Sequence, residues 1–183
     1  LGVSELSDSI YSRSKAIGER KLIEKFPKAK ILRPSLLFGK GDNFFGQFSQ
    51  MACLSPLLPL ISGTTKFQPV FVDDVAMAII KLLESIKYKQ TTFEIGGEFI
   101  YSFEELLKIL LEIKKIKRIL IPLNPQLMMI PAFFLQQLPK PPFTVDQMKL
   151  LKKDNILDYN FPGLKELGIK PTDMKKELVN IYR

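Results

Sequence analysis

Apolar and polar positions follow two rhythms along this chain, and the rhythms divide it into elements. Tyr11 to Phe26 has helical spacing and ends at Pro27, while Lys30-Ile31-Leu32 reads as a short buried strand stopped by Pro34. Phe38 to Asn43 is a turn-rich loop, and Phe44 to Leu54 returns to helical spacing. Phe67-Gln68-Pro69-Val70-Phe71 is short and extended, and Pro69 confines it to an edge strand or a strand end. Val72 to Ser85 predicts a helix with Val75, Ile79, Leu82 and Leu83 on one side. Asp73 and Asp74 fall in its first turn, where the helix dipole favours anions, and N-terminal capping is the reading preferred for them over catalysis. Thr91 to Ile95 reads as a strand closed by Gly96-Gly97, and Ser102-Phe103-Glu104-Glu105 is a capping box opening a helix to about Glu112. Strands alternating with helices up to about residue 113 predict an α/β sheet with crossover connections.

Beyond Arg118 the pattern changes. Ile119 to Leu138 is strongly apolar but carries Pro122, Pro125 and Pro131, with Asn124, Gln126, Gln136 and Gln137 among the apolar residues. Three prolines favour a short strand and a short helix over a membrane-spanning helix, which needs ~20 mostly apolar residues. The stretch is then either a helix packed on a small lobe or an apolar face for a partner or a membrane. Thr144-Val145-Asp146-Gln147 opens another helix, and Thr172-Asp173 caps a last one running to Ile181.

Composition narrows the chemistry. The 183 residues are 46% hydrophobic and 25% charged, which suits one domain or a domain with a small lobe. No histidine is present, so a Ser-His-Asp triad, a Cys-His dyad and a His-ligated metal are excluded within these residues. A single cysteine excludes an internal disulfide and a thiolate metal cluster, and it fits a reducing compartment. The net charge of +8 is spread evenly, and its only tight cluster is Lys114-Lys115-Ile116-Lys117-Arg118. That run lacks the interleaved aromatics of a nucleic-acid surface, so no nucleic-acid partner is expected. It reads as a solvated helix end and loop, with an anionic membrane surface as the alternative. The Lys- and Ile-rich composition suggests an AT-rich bacterial gene. The opening Leu1-Gly2-Val3 is not an intact signal peptide and looks like a cut end.

The residues richest in chemistry are Tyr11-Ser12-Arg13-Ser14-Lys15. Tyr and Lys at i and i+4 share a helix face. A phenol, with a reference pKa of ~10, is a poor acid or base at neutral pH, and a nearby ammonium stabilises its phenolate. The same Lys can bond the hydroxyls of a nicotinamide ribose while the Tyr exchanges a proton with a substrate oxygen. Taken alone the spacing also fits an amphipathic surface helix.

The context makes the pattern specific. Ile31-Leu32-Arg33-Pro34-Ser35-Leu36-Leu37-Phe38-Gly39 follows the helix, and Pro69-Val70-Phe71-Val72-Asp73-Asp74-Val75-Ala76 comes later. In this order the segments resemble the extended short-chain dehydrogenase/reductase family. Tyr11 to Glu19 is similar to its "Y-x-R-S-K-A-x-G-E" form, and Phe143 to Asn155 to a late "T-x-D-Q-x-x-L-L-x-x-D-N" signature. Together they resemble the atypical branch that holds the NADPH-binding Rossmann accessory subunit of respiratory complex I and its bacterial relatives. The likeness runs from about Ser4 to Leu178.

The resemblance implies the C-terminal part of a Rossmann-like doubly wound parallel sheet plus a small, mostly helical C-terminal lobe. Residues 1–113 would be the end of the NAD(P)-binding domain with substrate-lobe insertions, and residues 114–183 the lobe. It implies Tyr11 as proton donor in members that catalyse, Lys15 as the ribose-binding Lys, and Pro34, Ser35 and Leu36 as the loop beside the nicotinamide. Arg33 could bond a backbone carbonyl or face the cleft. The implied cofactor is NADP or NAD in the complete protein, since the Gly-rich phosphate turn is absent from this chain. Gly39, Gly41 and Gly46 lack its spacing and read as turn glycines. Well over ~100 residues of preceding βα units would be missing, together with the Ser or Thr that assists the Tyr. Ser4, Ser7, Ser9 and Ser12 are assigned cap and turn roles instead.

The isolated chain would therefore expose a sheet edge and an apolar face, bind NADP(H) weakly and be inactive. Its expected partners are the missing N-terminal Rossmann half and a membrane-bound respiratory complex or membrane surface. The expected location is cytoplasmic, peripheral on the inner membrane. The leading functional expectation is a piece of a complex I accessory-subunit-like protein whose cofactor is structural. The alternatives are an NAD(P)-dependent sugar epimerase or reductase, a ubiquinone-biosynthesis-related enzyme, and a split-gene product without function.

Overall fold

The structure is a computed structural model that describes residues 1–84, 87–137 and 144–183. Ser85, Leu138 and Phe143, which end or begin expected segments, lie outside the described residues. The chain opens with α1 (Ile10–Lys25), β1 (Ile31–Pro34), β2 (Leu37–Phe38) and α2 (Asn43–Leu54). It continues with β3 (Leu57–Ile61), β4 (Lys66–Phe67), β5 (Val70–Phe71), α3 (Val72–Glu84) and β6 (Thr92–Ile95). Then come β7 (Tyr101–Ser102), α4 (Phe103–Ile113), β8 (Ile119–Leu123), α5 (Met129–Leu135), α6 (Val145–Leu150) and α7 (Met174–Tyr182).

The helix boundaries follow from their caps. Ser9 starts α1 by accepting from the Ser12 amide at 3.2 Å, and Asp42 starts α2 by accepting from the Phe45 amide at 2.6 Å. Ser102 and Glu105 close both arms of the expected capping box on α4, at 3.2 and 2.7 Å. Asp173 caps α7 through the Lys176 amide at 3.2 Å.

The strands pair in parallel as β1 with β6, β2 with β5 and β3 with β8, and antiparallel as β4 with β7. The β1–β6 pair joins Ile31–Pro34 to Thr92–Ile95 through a long crossover, the α/β connection that the alternating pattern predicts. Pro69 splits its extended segment into β4 and β5, which have different partners. β3 has no counterpart among the expected elements; it contains Pro59 and follows Pro56. Its two-stranded pairing with β8 leaves each strand an open edge, where Pro59 and Pro122 are accommodated without an N–H.

Two main cores hold these elements. One is rich in phenylalanine and joins Phe38, Phe45, Phe48, Phe67 and Phe103 to Leu106, Leu110 and Leu178 of α4 and α7. The other packs Ala78 and Leu82 of α3 on Phe93 and Ile95 of β6, with Leu164 and Leu167 closing it. Here the expected α3 face is corrected. Val75, Ala78 and Leu82 point inward, while Ile79 is 45% exposed and Leu83 81% exposed. The small Ala78 at i+3 is the true inward position, and a count of large apolar residues passes over it.

The segment around Asn155 is laced into the rest. The Asn155 amide donates to the Lys66 carbonyl at 2.7 Å, and the Gln68 amide donates to the Asn155 carbonyl at 3.2 Å. Residue 155 thus lies against β4. Gly97 permits another close crossing, since a Cβ there would stand 2.1 Å from the Pro69 carbonyl oxygen. Among the described residues no helix is long and apolar enough to cross a membrane.

Candidate functional site

A cavity of about 630 Å³ opens between α1, the exit of β1 and the 147–155 segment. Tyr11, Lys15, Pro34, Ser35 and Leu36, the five residues nominated from sequence, all line it. Tyr11 and Lys15 reach it from one face of α1, with Lys15 Nζ 5.5 Å from the centre of the Tyr11 ring. Tyr11 is 55% exposed, so its hydroxyl is available to a second molecule.

The loop after β1 is fastened on both sides. The Ser35 amide donates to the Ile95 carbonyl at 2.8 Å, and the Leu36 carbonyl accepts from the Val70 amide at 2.9 Å. Ser35 Oγ is buried; it donates to the Asn155 carbonyl at 2.8 Å and accepts from the Gln68 amide at 3.3 Å. The Gln68 side chain continues the net, donating to the Gly97 carbonyl at 2.8 Å and accepting from the Leu157 amide at 3.1 Å. Residues 34–36 are therefore a rigid wall, and Ser35 spends its hydroxyl on the fold.

Among the described residues Arg33 bonds carboxylates and no backbone carbonyl. Its Nε donates to both carboxylate oxygens of Glu19 at 3.1 Å and its Nη2 donates to Glu19 Oε2. Its Nη1 stands 3.7 Å from the buried Glu94, and its guanidinium lies 5.4 Å from the Phe161 ring centre. Glu19, the last residue of the Tyr-Lys motif, thus binds α1 to β1. Such a forked pair fixes geometry as well as adding energy. Arg13 of the same motif donates to the Ser7 carbonyl at 2.6 Å.

Ser4, Ser7, Ser9 and Ser12 have the cap and turn roles expected of them. Ser4 and Ser7 accept from the Leu6 and Ser9 amides, and Ser12 Oγ bridges the Ser4 amide and the Gly2 carbonyl.

The aspartate pair requires a correction. Asp74 is buried and accepts from the amide and hydroxyl of Thr172, both at 2.8 Å. It holds the start of the α7 segment 98 residues away and does not cap its own helix. Asp73 is exposed. First-turn position gives no sign of such a distant partner. The same is true of Asp146 in α6, which accepts from Ser9 Oγ and from the Ile10 and Tyr11 amides.

The donor set tests a dinucleotide. A hydroxyl-bearing ring and an ammonium one turn apart on an open cavity wall fit a nicotinamide riboside, beside a backbone wall hydrogen-bonded on both sides. No phosphate cradle accompanies them among the described residues. Gly39, Gly41 and Gly46 surround Asp42, whose carboxylate already accepts from the Gly39 and Gly46 amides at 3.4 Å. An anion there would meet a negative charge. No group of three or more His, Cys, Asp or Glu residues is arranged to hold a metal among the described residues.

The parallel β1–β6 crossover, the Tyr-Lys helix and the fastened Arg-Pro-Ser loop belong to an α/β fold of Rossmann type, shared with the solved structures it superposes on. No family model matches the chain. In sequence the chain is similar to subunits of mitochondrial NADH dehydrogenase [ubiquinone], and in fold it is similar to solved NAD- and NADP-bound enzymes. It is 28% identical over 186 residues to subunit 9 of the NADH dehydrogenase [ubiquinone] 1 alpha subcomplex of Dictyostelium discoideum, covering 100% of this chain and 52% of the relative. The same subunit of Mus musculus is 30% identical over 193 residues, covering 100% of this chain and 49% of the relative. The chain thus spans about half the length of the curated relatives it matches. Among solved structures, gox2253 superposes with a TM-score of 0.68 at 23% identity, covering 98% of this chain and 57% of the other. The dTDP-4-dehydrorhamnose reductase of Bacillus anthracis, solved in complex with NADP, superposes with a TM-score of 0.65 at 19% identity, covering 94% of this chain and 54% of the other.

Proposed function

We propose that this chain supplies the nicotinamide end of an NAD(P)-binding accessory subunit of a respiratory NADH:ubiquinone oxidoreductase. The observation that carries the reading is the gathering of Tyr11, Lys15, Pro34, Ser35 and Leu36 on one cavity wall. Similarity of the whole chain to about half the length of NADH dehydrogenase subunits supports the assembly half of the proposal. In this reading Lys15 holds the ribose hydroxyls, residues 34–36 form the wall beside the nicotinamide ring, and Tyr11 faces whatever lies above it. NADP or NAD, when bound, supplies hydride chemistry; these residues bind and orient its nicotinamide half. The pyrophosphate and the NAD-or-NADP choice fall to the N-terminal Rossmann half, which is the first partner.

Residues 1–113 would complete that nucleotide domain with its substrate-lobe insertions, and residues 114–183 would form the C-terminal lobe, stitched on by β8 and Asn155. The lobe offers the outward face of the second partner. Leu127, Ile130, Phe133 and Phe134 are 54–73% exposed, and the Lys114–Arg118 cluster precedes them. An apolar patch with a basic cluster upstream in sequence suits a membrane-bound complex or the bilayer surface beside it, which supports a peripheral position on the inner membrane.

Tyr11→Phe in the complete protein tests the structural reading. Unchanged assembly of the respiratory complex, with no turnover to lose, is the expected result. Loss of an NAD(P)-dependent activity with assembly intact would make it an epimerase- or reductase-like enzyme, the reading that the sugar-nucleotide structural neighbours favour.

A further inference from the structure

The helix that carries Tyr11 and Lys15 is held at its start by a carboxylate from the far end of the chain. Ser9 Oγ donates to Asp146 Oδ2 at 2.8 Å, the Ile10 amide to Oδ1 at 2.7 Å and the Tyr11 amide to Oδ2 at 3.1 Å. The first amides of a helix have no partner inside it. Ser9, as the cap, satisfies the Ser12 amide and leaves those of Ile10 and Tyr11 open; Asp146 takes both. It also brings negative charge to the positive end of the α1 dipole.

Asp146 is in turn well placed. Thr144 and Gln147 form a complete capping box around it, with both arms at 3.0–3.2 Å. Lys149 Nζ donates to the Asp8 carbonyl at 3.3 Å, a second tie from α6 to the α1 start. Gln147, Lys149 and Leu150 then line the same cavity as Tyr11. One short helix therefore both grips the Tyr-Lys helix and walls its site. One of the gripped amides is that of Tyr11 itself, so any shift of Asp146 is passed to the residue that bears the phenol.

We propose that Asp146 is a positioning residue for Tyr11 and Lys15, and that it links seating of the 144–155 segment to nucleotide occupancy at the nicotinamide end. The grip is a property of this chain, and the linkage rests on the function proposed above. Because linkage is reciprocal, a bound nucleotide stabilises the seated segment as much as the segment favours the nucleotide.

Amide hydrogen exchange on the complete protein, with and without NADPH, tests this. In the unaltered protein NADPH is expected to slow exchange about tenfold in residues 144–155 as well as in residues 10–15. Asp146→Asn is expected to abolish the slowing in 144–155 and to weaken NADPH binding about tenfold, while exchange in α4 stays unchanged. Slowing confined to residues 10–15, or unaltered NADPH affinity in Asp146→Asn, would overturn the linkage. Absence of NADPH binding by the unaltered protein would sink the proposed function instead. The grip would still be tested by the Ile10 and Tyr11 amides of Asp146→Asn in the complete protein without nucleotide, where about tenfold faster exchange supports it and no change overturns it. Should Asp146→Asn not fold, Ser9→Ala removes one donor and keeps the charge. Faster exchange at Ile10 and Tyr11 is expected again, and none would count against the grip.

Discussion

Replacing Arg33 by Met probes the joint between the Tyr-Lys helix and the sheet. Met keeps much of the aliphatic volume and removes the cation. Glu19, which accepts from the Arg33 Nε through both oxygens, and Glu94, whose Oε1 lies 3.7 Å from the Arg33 Nη1, would both lose the guanidinium as counter-charge. The side chains of Arg33 and Glu19 are each 20% exposed and that of Glu94 is 5% exposed. Removing one partner of a fully buried pair costs about 3–5 kcal/mol, and partial water access lowers this to about 2–3 kcal/mol. With a urea slope of about 2 kcal/mol per molar, the unfolding midpoint should fall by roughly 1 M with the slope unchanged. Adding Glu19→Gln removes one of the stranded carboxylates and should restore about 1 kcal/mol, because neighbouring changes do not add. A midpoint drop below about 0.2 M, or strictly additive changes, would refute the electrostatic joint.

Further predictions follow from other contacts. Gly97→Ala places a Cβ 2.1 Å from the Pro69 carbonyl oxygen, backbone that cannot swing aside, so thermal denaturation should show a loss of several kcal/mol, on the order of ~3 or more. Asp74→Ala strands the Thr172 amide and hydroxyl and should cost about 2–3 kcal/mol in the same assay, with exchange rising first in α7. Burial of the Tyr182 phenol and its hydrogen bond to Asp42 hold its pKa well above the ordinary value. It stays protonated in the fold where the unfolded chain ionises, so its contribution is present below about pH 10 and is lost as pH rises further; Tyr182→Phe should flatten that alkaline decline. Burial of Asp146 works against its ionised form, but the Ser9, Ile10 and Tyr11 donors outweigh it and hold the carboxyl below its usual range. Its contribution is therefore present above about pH 4 and is lost as pH falls, and Asp146→Asn should show a shallower acid limb in denaturation.

Much of the site was legible in the sequence because the residues that build it are local. Tyr11 and Lys15 share a helix face by spacing alone, and Pro34, Ser35 and Leu36 follow their strand directly, so one motif order brings them to one wall. The caps at Ser102, Thr144 and Asp173 were equally readable, since each side chain closes on an amide three residues on. What escaped were partners far along the chain. Asp74 looks like a first-turn anion and proves to hold Thr172, and Asp146 looks like part of its own helix start and proves to hold another. An acidic residue in a first turn gives the same local signal in both cases. β3 was hidden for a different reason: a strand containing Pro59 is stable only because its two-stranded sheet has an open edge, which is a tertiary fact.

In the proposed function these residues hold the nicotinamide end of a dinucleotide whose phosphates belong to another half of the protein. Calorimetric titration of NADPH into the complete protein, its Lys15→Ala variant and this chain alone measures that division directly. The account predicts binding by the complete protein, about 10- to 100-fold weaker binding by Lys15→Ala as a charge-assisted ribose contact is lost, and no micromolar affinity for the chain alone. Micromolar binding by the chain alone, or an unaltered affinity in Lys15→Ala, would contradict it.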